Sequence, residues 1–166
     1  MAKTKAQKKV TLDRLTTAFK SGLPAVFVHF KGVNVADESA MRVAFKSDNI
    51  SYFVAKKTLI GKALTESGVT GVAPALEGEV AVAYAVSGND ETLPARLAHG
   101  YAKKFGAERF SILGGIFEKT LKGREDMVEI ATIPSISVLR GMFANIINSP
   151  RQRIATVLSK VAETKN

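Results

Sequence analysis

The chain has neither cysteine nor tryptophan, and only two histidines among its 166 residues. Without thiols, disulfides, thiolate metal sites and cysteine nucleophiles are excluded together, which suits a reducing compartment. His29 and His99 cannot complete a zinc site without carboxylate help. No apolar run approaches the roughly 20 residues that a membrane-spanning helix needs. The basic N-terminal stretch "MAKTKAQKKVTLDRL" is not followed by the apolar core of a secretory signal, so none is expected. Signatures of common catalytic sites are missing as well. There is no G-x-G-x-x-G, no G-x-S-x-G and no H-E-x-x-H, and Lys56 stands where a phosphate loop ending at Gly61-Lys62 would need glycine. Glu77 and Glu79 flank Gly78 without a nearby base, which reads as a turn. His29 lies in an apolar run and reads as a buried or edge-strand residue, and His99 as a solvated one. Catalysis, a metal and a cofactor are therefore not expected.

Acidic residues are scarce in one part of the chain. Residues 1–62 hold 12 Lys and Arg against 4 Asp and Glu, whereas the remaining 104 hold 12 against 11. Nearly all of the net charge of +9 therefore sits on about a third of the molecule, which points to a polyanionic partner, most simply nucleic acid. The rest of the composition, 46% hydrophobic, is enough for one ordinary core.

Residues 6–19 place Ala6, Val10, Leu15, Ala18 and Phe19 near a 3.6-residue period, and "SGLP" stops that helix. "AVFVHF" (25–30) reads as a strand buried on both faces. A loop at Gly32 leads to a helix with Asp37 as its N-cap and Met41, Ala44 and Phe45 on its apolar side. Strand 50–55 follows, then a helix capped by Thr58 and ended by Gly68, a strand over 79–86 and a helix over 91–104. A strand pair or bent strand near Gly114–Gly115 (109–121) precedes a short helix over 124–131. The alternation predicts an α/β (α+β) domain over 1–132, with a mixed sheet flanked by helices.

From Pro134 on, Leu139, Met142, Phe143, Ile146, Ile147, Ile154, Val157, Leu158 and Val161 form one helical stripe, bent or interrupted at Pro150. Some 30 helical residues reach about 45 Å, longer than a domain of this size is wide. An aliphatic stripe with five Lys and Arg and one Glu suits a partner protein's helices. Lacking tryptophan, it suits a membrane surface less well. The alternative is a helix that completes the domain core or self-associates.

In "VAKKTL" (54–59) the strand turns into a helix whose first N–H groups are unpaired beside Lys56 and Lys57, with the Thr58 hydroxyl and Lys62 on the same side. Such an arrangement binds phosphate. Lys31-Gly32, after the preceding strand, would share its surface if the two strands were parallel neighbours, and Arg42 with Lys46 would extend it. An enzyme acting on a phosphorylated ligand at Lys56–Thr58 is the competing use of the same turn.

The succession "VHFKGVNVADESAMR", "YFVAKKTLIGKAL" and "IPSISVLRGMFANII…PRQRIATVLSKV" resembles the bacterial ribosomal protein L-ten family over nearly the whole chain. The most specific piece usually reads Val-x-Arg/Lys-Asn-Thr-Leu. Here it is Val54-Ala55-Lys56-Lys57-Thr58-Leu59; Lys57 in place of the usual Asn removes any hydrogen bond that amide would make to a base and preserves or strengthens a phosphate contact. The resemblance implies a non-catalytic cytoplasmic protein at the base of the large-subunit stalk. Its 1–132 domain would grip large-subunit rRNA in the GTPase-associated region beside protein L-eleven. Its 133–166 helix would carry dimers of the acidic L-seven/L-twelve proteins that recruit translation factors, two rather than three because Pro150 divides the helix. Members of the family can also repress their own messenger RNA. The implied RNA face is Lys31, Gly32, Arg42, Lys56, Lys57, Thr58 and Lys62, extended by Lys5, Lys8 and Lys9. The implied partner face is the stripe from Leu139 to Val161.

Overall fold

The computed structural model describes residues 5–71, 74–86, 90–106 and 108–165. Two compact units meet between Ile133 and Pro134.

In the first unit, α1 (Lys5–Lys20) leads to β1 (Ala25–Phe30), α2 (Val35–Ser47), β2 (Ile50–Val54), α3 (Lys57–Ser67), β3 (Val80–Ala85), α4 (Leu93–Phe105), β4 (Phe110–Phe117), β5 (Thr120–Lys122) and α5 (Arg124–Thr132). The strands form one sheet in the order β2-β3-β1-β4-β5. The α/β class with a helix-flanked sheet is the one read from the sequence. All four strand pairings are antiparallel, however, so the sheet is not mixed and β1 and β2 are not neighbours. Both pair with β3 lying between them, and they therefore run in the same direction. The loops after β1 and β2 leave the same edge of the sheet, which brings Lys31 and Lys56–Lys57 to one side by a different route from parallel pairing.

β1 is the central strand, so its six-residue apolar run is buried on both faces, as its composition demands. On one face Phe27 packs with Leu15 and Phe19 of α1, Ile60 and Leu64 of α3, and Val82. On the other, Val26 and Val28 pack with Met41 and Phe45 of α2, Ala95 and Ala98 of α4, and Met127 of α5. A bulge shifts the β1–β4 register so that Phe27 faces Gly114 and Val28 faces Ile112. Gly115 is needed beside it, because a Cβ there would lie 2.5 Å from the Ala25 carbonyl oxygen. The bent strand and the strand pair are both present: β4 and β5 join through Glu118 and Lys119, both with positive φ, the backbone of a tight two-residue hairpin turn.

Three local expectations are corrected. The N-cap of α2 is Asn34 rather than Asp37, and that of α3 is Lys56 rather than Thr58. Neither cap residue makes a side-chain capping bond; Asp37 and Thr58 sit inside the first turn, where an acid or a small hydroxyl is favoured by the same dipole that favours a cap. In α1 the apolar register begins at Leu12 and Leu15, while Ala6 and Val10 face solvent, because only the C-terminal half of the helix lies against the sheet. Gly68 ends α3 in the left-handed conformation at φ 68, as expected.

The second unit is α6 (Ile136–Lys165), a single 30-residue helix that contains Pro150. The proline does not interrupt it, although it can offer no N–H to the Ile146 carbonyl. Among the described residues, no single helix is long and apolar enough to cross a membrane.

Candidate nucleic-acid interface and partner helix

An open groove of about 830 Å³ runs along the sheet edge where β1 and β2 end and β3 begins. One wall is Lys8 and Thr11 of α1. Phe30, Val54 and Val80 at the strand ends, with Ala55 just after β2, line the groove as well. The other wall is Lys56 to Leu59 at the opening of α3, and Gly78 and Glu79 close one end. Sequence order alone separates these pieces by up to seventy residues; the sheet topology brings them together.

Lys56 is extended, at φ −69 and ψ 137, and its carbonyl accepts from the N–H groups of Leu59 and Ile60 at 2.9 and 3.1 Å. The amides of Lys57 and Thr58 precede that turn and have no acceptor within the helix. Lys56, Lys57 and Thr58 are exposed and Lys8 is half-buried. Among the described residues the ion pairs are Arg42–Glu38 and Arg96–Asp90, so none of these lysines is neutralised by an acid of its own chain. Among the described residues, Glu79 is the single acidic one lining the groove.

The Gly78–Glu79 end is held by His29. Its Nδ1 lies 3.1 Å from the Glu79 carbonyl oxygen, a bond in which Nδ1–H donates. Gly78, at φ +65, leaves room for the ring, since a Cβ there would lie 2.3 Å from His29 Cε1. His29 is thus a half-buried residue of the central strand, not of an edge strand.

The other expected RNA-face residues are distributed unevenly. Lys31 and Gly32 follow β1 on the same edge and are exposed, with the Lys31 N–H donating to the Arg109 carbonyl at 2.8 Å. Lys62 is exposed one turn beyond Thr58, and Lys9 is exposed on α1. The Lys5 side chain lies outside the described residues. Arg42 is not brought into the groove. It lines a separate pocket of about 440 Å³ with Lys46, Asn49 and Tyr52. There its guanidinium donates to Glu38 Oε1 through Nε at 3.1 Å and Nη2 at 2.5 Å, and it lies 5.4 Å from the Tyr52 ring centroid. Burial, assisted by the nearby Glu38 and opposed by Arg42, pushes the Tyr52 phenol up to about 12. Its hydroxyl is buried without a hydrogen-bond partner.

Phe30, Val54, Thr11 and Glu79 were not anticipated as site residues. A signal was available for one of them, because Phe30 closes the β1 run immediately before Lys31-Gly32, an aromatic beside a basic loop.

On α6 the apolar residues from Leu139 to Val161 are between 41% and 70% exposed. At 3.6 residues per turn they share roughly 160° of the helix surface, with Pro150 near the middle. Arg140 and Arg151 fall along one border of that stripe, and Arg153 and Lys160 along the other. Between Ile147 and Ile154 the stripe carries no large apolar residue except Pro150. The result is two aliphatic patches with basic margins.

The sequence model of the family described as Ribosomal protein L10 matches residues 3–103. A protein named large ribosomal subunit protein uL10 from Shouchella clausii is 29% identical over 165 residues, covering 99% of this chain and 97% of that protein. Proteins of the same name from Dehalococcoides mccartyi (31% identical, 95% of this chain and 88% of the relative) and Bacillus licheniformis (28%, 95% and 93%) are similar along nearly the same length. With a family match over more than half of its residues and relatives this similar from end to end, the chain belongs to the ribosomal protein L10 family, as a structural protein of the large ribosomal subunit and not an enzyme.

Proposed function

We propose that this protein forms the base of the large-subunit stalk. The first unit binds large-subunit rRNA of the GTPase-associated region, beside protein L-eleven, through Lys8, Lys56, Lys57 and Thr58 in the groove, with Lys31, Gly32, Lys62 and Lys9 on the same basic surface. Lys5 extends the N-terminal end of α1, and Arg42 with Lys46 forms a second, weaker contact. α6 carries dimers of the acidic L-seven/L-twelve proteins, one on each aliphatic patch either side of Pro150, and through them recruits translation factors in the cytoplasm. A messenger folded like the rRNA site would be held by the same lysines, which is the autorepression that the family resemblance implies.

The observation that carries the RNA half is the convergence of Lys8, Lys56 and Lys57 on one groove with no ion partner among the described residues. Each phosphate engaged there releases counterions, so affinity falls steeply with salt. The stripe on α6 supports the stalk half: its margins are basic, as an acidic partner requires, and both core clusters of the first unit are complete by Ala131.

The test is native mass spectrometry of the nuclease-treated full-length protein from its own cells, compared with a Phe143→Asp, Ile147→Asp variant. An even number of copies of one small acidic protein on the wild type, halved or lost in the variant, supports the reading. A bare wild-type chain overturns the stalk half.

A further inference from the structure

We infer that the RNA-binding surface has a second, separate phosphate site at the corner where β1 ends and β4 begins, formed by Arg109 with Lys31. This rests on the RNA-binding reading above and extends it. Arg109 belongs to residues 63–166, where 12 basic side chains face 11 acidic ones, so the charge balance along the sequence does not single it out.

The corner is built by backbone bonds. Phe30 of β1 pairs with Phe110 of β4, and one step further the Lys31 N–H donates to the Arg109 carbonyl at 2.8 Å. The Gly106 carbonyl, just past α4, accepts from the N–H groups of both Arg109 and Phe110 at 3.1 Å, which fixes the turn that carries Arg109. Lys31 and Arg109 are thus held opposite each other, and both side chains are exposed. Like charges placed directly opposite across an antiparallel pair are destabilising. Among the described residues the ion pairs are Arg42–Glu38 and Arg96–Asp90, so Glu108, the acidic neighbour of Arg109, compensates neither of these cations. An anion between the two relieves the repulsion, and a guanidinium presents the forked donors that a phosphate accepts. Lys103 and Lys104 stand nearby in the last turn of α4. The helix dipole is reason enough for those two, whereas it explains neither Lys31 nor Arg109.

The occupant is RNA because this corner opens on the same sheet edge as the groove. In the order β2-β3-β1-β4, with strands about 4.8 Å apart, the start of β4 is about 14 Å from the end of β2. One phosphate on Lys56 and Lys57 therefore cannot also serve Arg109. Glu79, which precedes β3, lies between the two sites in that order, and its carboxylate repels a phosphate there. The RNA is held at two points of its backbone rather than along one continuous track.

The experiment uses full-length protein and a transcript of the large-subunit rRNA. Hydroxyl-radical footprinting and affinity against salt are measured for wild type, Lys31→Ala with Arg109→Ala, and Arg109→Lys. Wild type should protect two separate backbone stretches. The double alanine variant should lose one of them, lower the slope of log affinity against log salt by about 0.7–0.9, and bind about sixfold more weakly at about 0.1 M salt. Arg109→Lys, which keeps the charge, should keep both stretches and the slope. The loss should add to that of Lys56→Ala with Lys57→Ala, as expected of sites this far apart. A single protected stretch in wild type, or an unchanged footprint and slope in the double variant, overturns the second site while leaving RNA binding in the groove. A slope lost equally in Arg109→Lys overturns it too. Absence of any footprint overturns the RNA-binding reading and this inference with it. If the double variant fails to fold, Arg109→Ala alone decides.

Discussion

Phe27 in the first unit is fully buried, whereas Phe143 in the second is 67% exposed. The same contrast runs through the aliphatic residues: Val26, Val28, Ile60 and Ile116 are covered within the first unit, while Ile146, Ile147, Ile154 and Leu158 are open on α6. Residue type does not separate these two groups. What separates them is that strands and helices of the first unit cover one another from both sides of a sheet, whereas a lone helix can bury its stripe only against something else. Isolated helices are marginal in water even without a proline, and Pro150 removes a hydrogen bond at the centre of this one. The first unit thus covers its apolar residues internally, whereas those of the second are left open.

The largest effect that sharpens this contrast is truncation of the two phenylalanines. Phe27→Ala should lose about 3–5 kcal/mol of unfolding free energy, and Phe143→Ala less than about 0.5 kcal/mol. Denaturant titration of both variants checks it, and a loss above about 2 kcal/mol at Phe143 would break the contrast.

Alkaline titration comes next, since all three tyrosines lie in the first unit. The Tyr52 phenol, raised from 10.0 to about 12 by burial and Glu38 against the pull of Arg42, keeps its proton in the folded state after the unfolded chain has lost it. Stability is fully present below pH 10 and falls through the window between 10 and 12, by about 2–3 kcal/mol in total. Tyr52→Phe should flatten that slope and cost little at pH 7, because the hydroxyl has no partner to lose. Melting curves at pH 9 and pH 11 for wild type and variant measure it.

Charge removal at the groove ranks third. Lys56→Ala with Lys57→Ala should weaken RNA binding about tenfold at moderate salt and lower the slope of log affinity against log salt by about 1.4–1.8. The melting temperature should not change, since both side chains are exposed. An unchanged salt slope would remove these lysines from the interface.

The smallest energy belongs to opening of α6. In the isolated protein, amides of α6 should open with less than about 1 kcal/mol, while those of β1 approach the global unfolding free energy. Native-state hydrogen exchange reads this directly. Protection of α6 equal to that of β1 in a verified monomer would mean that the helix stands without a partner.

Several of these features were legible before the fold. The apolar run 25–30 announced a doubly covered strand because a polar face would have shown as alternation, and the stripe of α6 followed from a period that no sheet can satisfy. The Gly68 stop and the basic turn at Lys56-Lys57 were legible for equally local reasons. The cap of α3 was not, since Lys56 is not a capping residue type and makes no side-chain cap bond; at α2 the cap-favouring Asn34 was available, but the later Asp37 offered the same signal. The placement of Ala6 and Val10 was missed because α1 outruns the surface it packs on.

Local chemistry by itself determined which segments are helix or strand, where the positive charge concentrates, and that the last thirty residues carry an apolar stripe. Those properties depend on spacing along the chain and survive without knowledge of neighbours. Only the tertiary structure decided that β3 inserts between β1 and β2 and sends both of their loops to one edge. It alone decided that Val54, Val80 and Glu79 line one groove with lysines far away in the chain, and that Arg42 is spent on Glu38 and Tyr52. Strand order is a long-range choice made by the burial of whole faces, and no window of residues contains it.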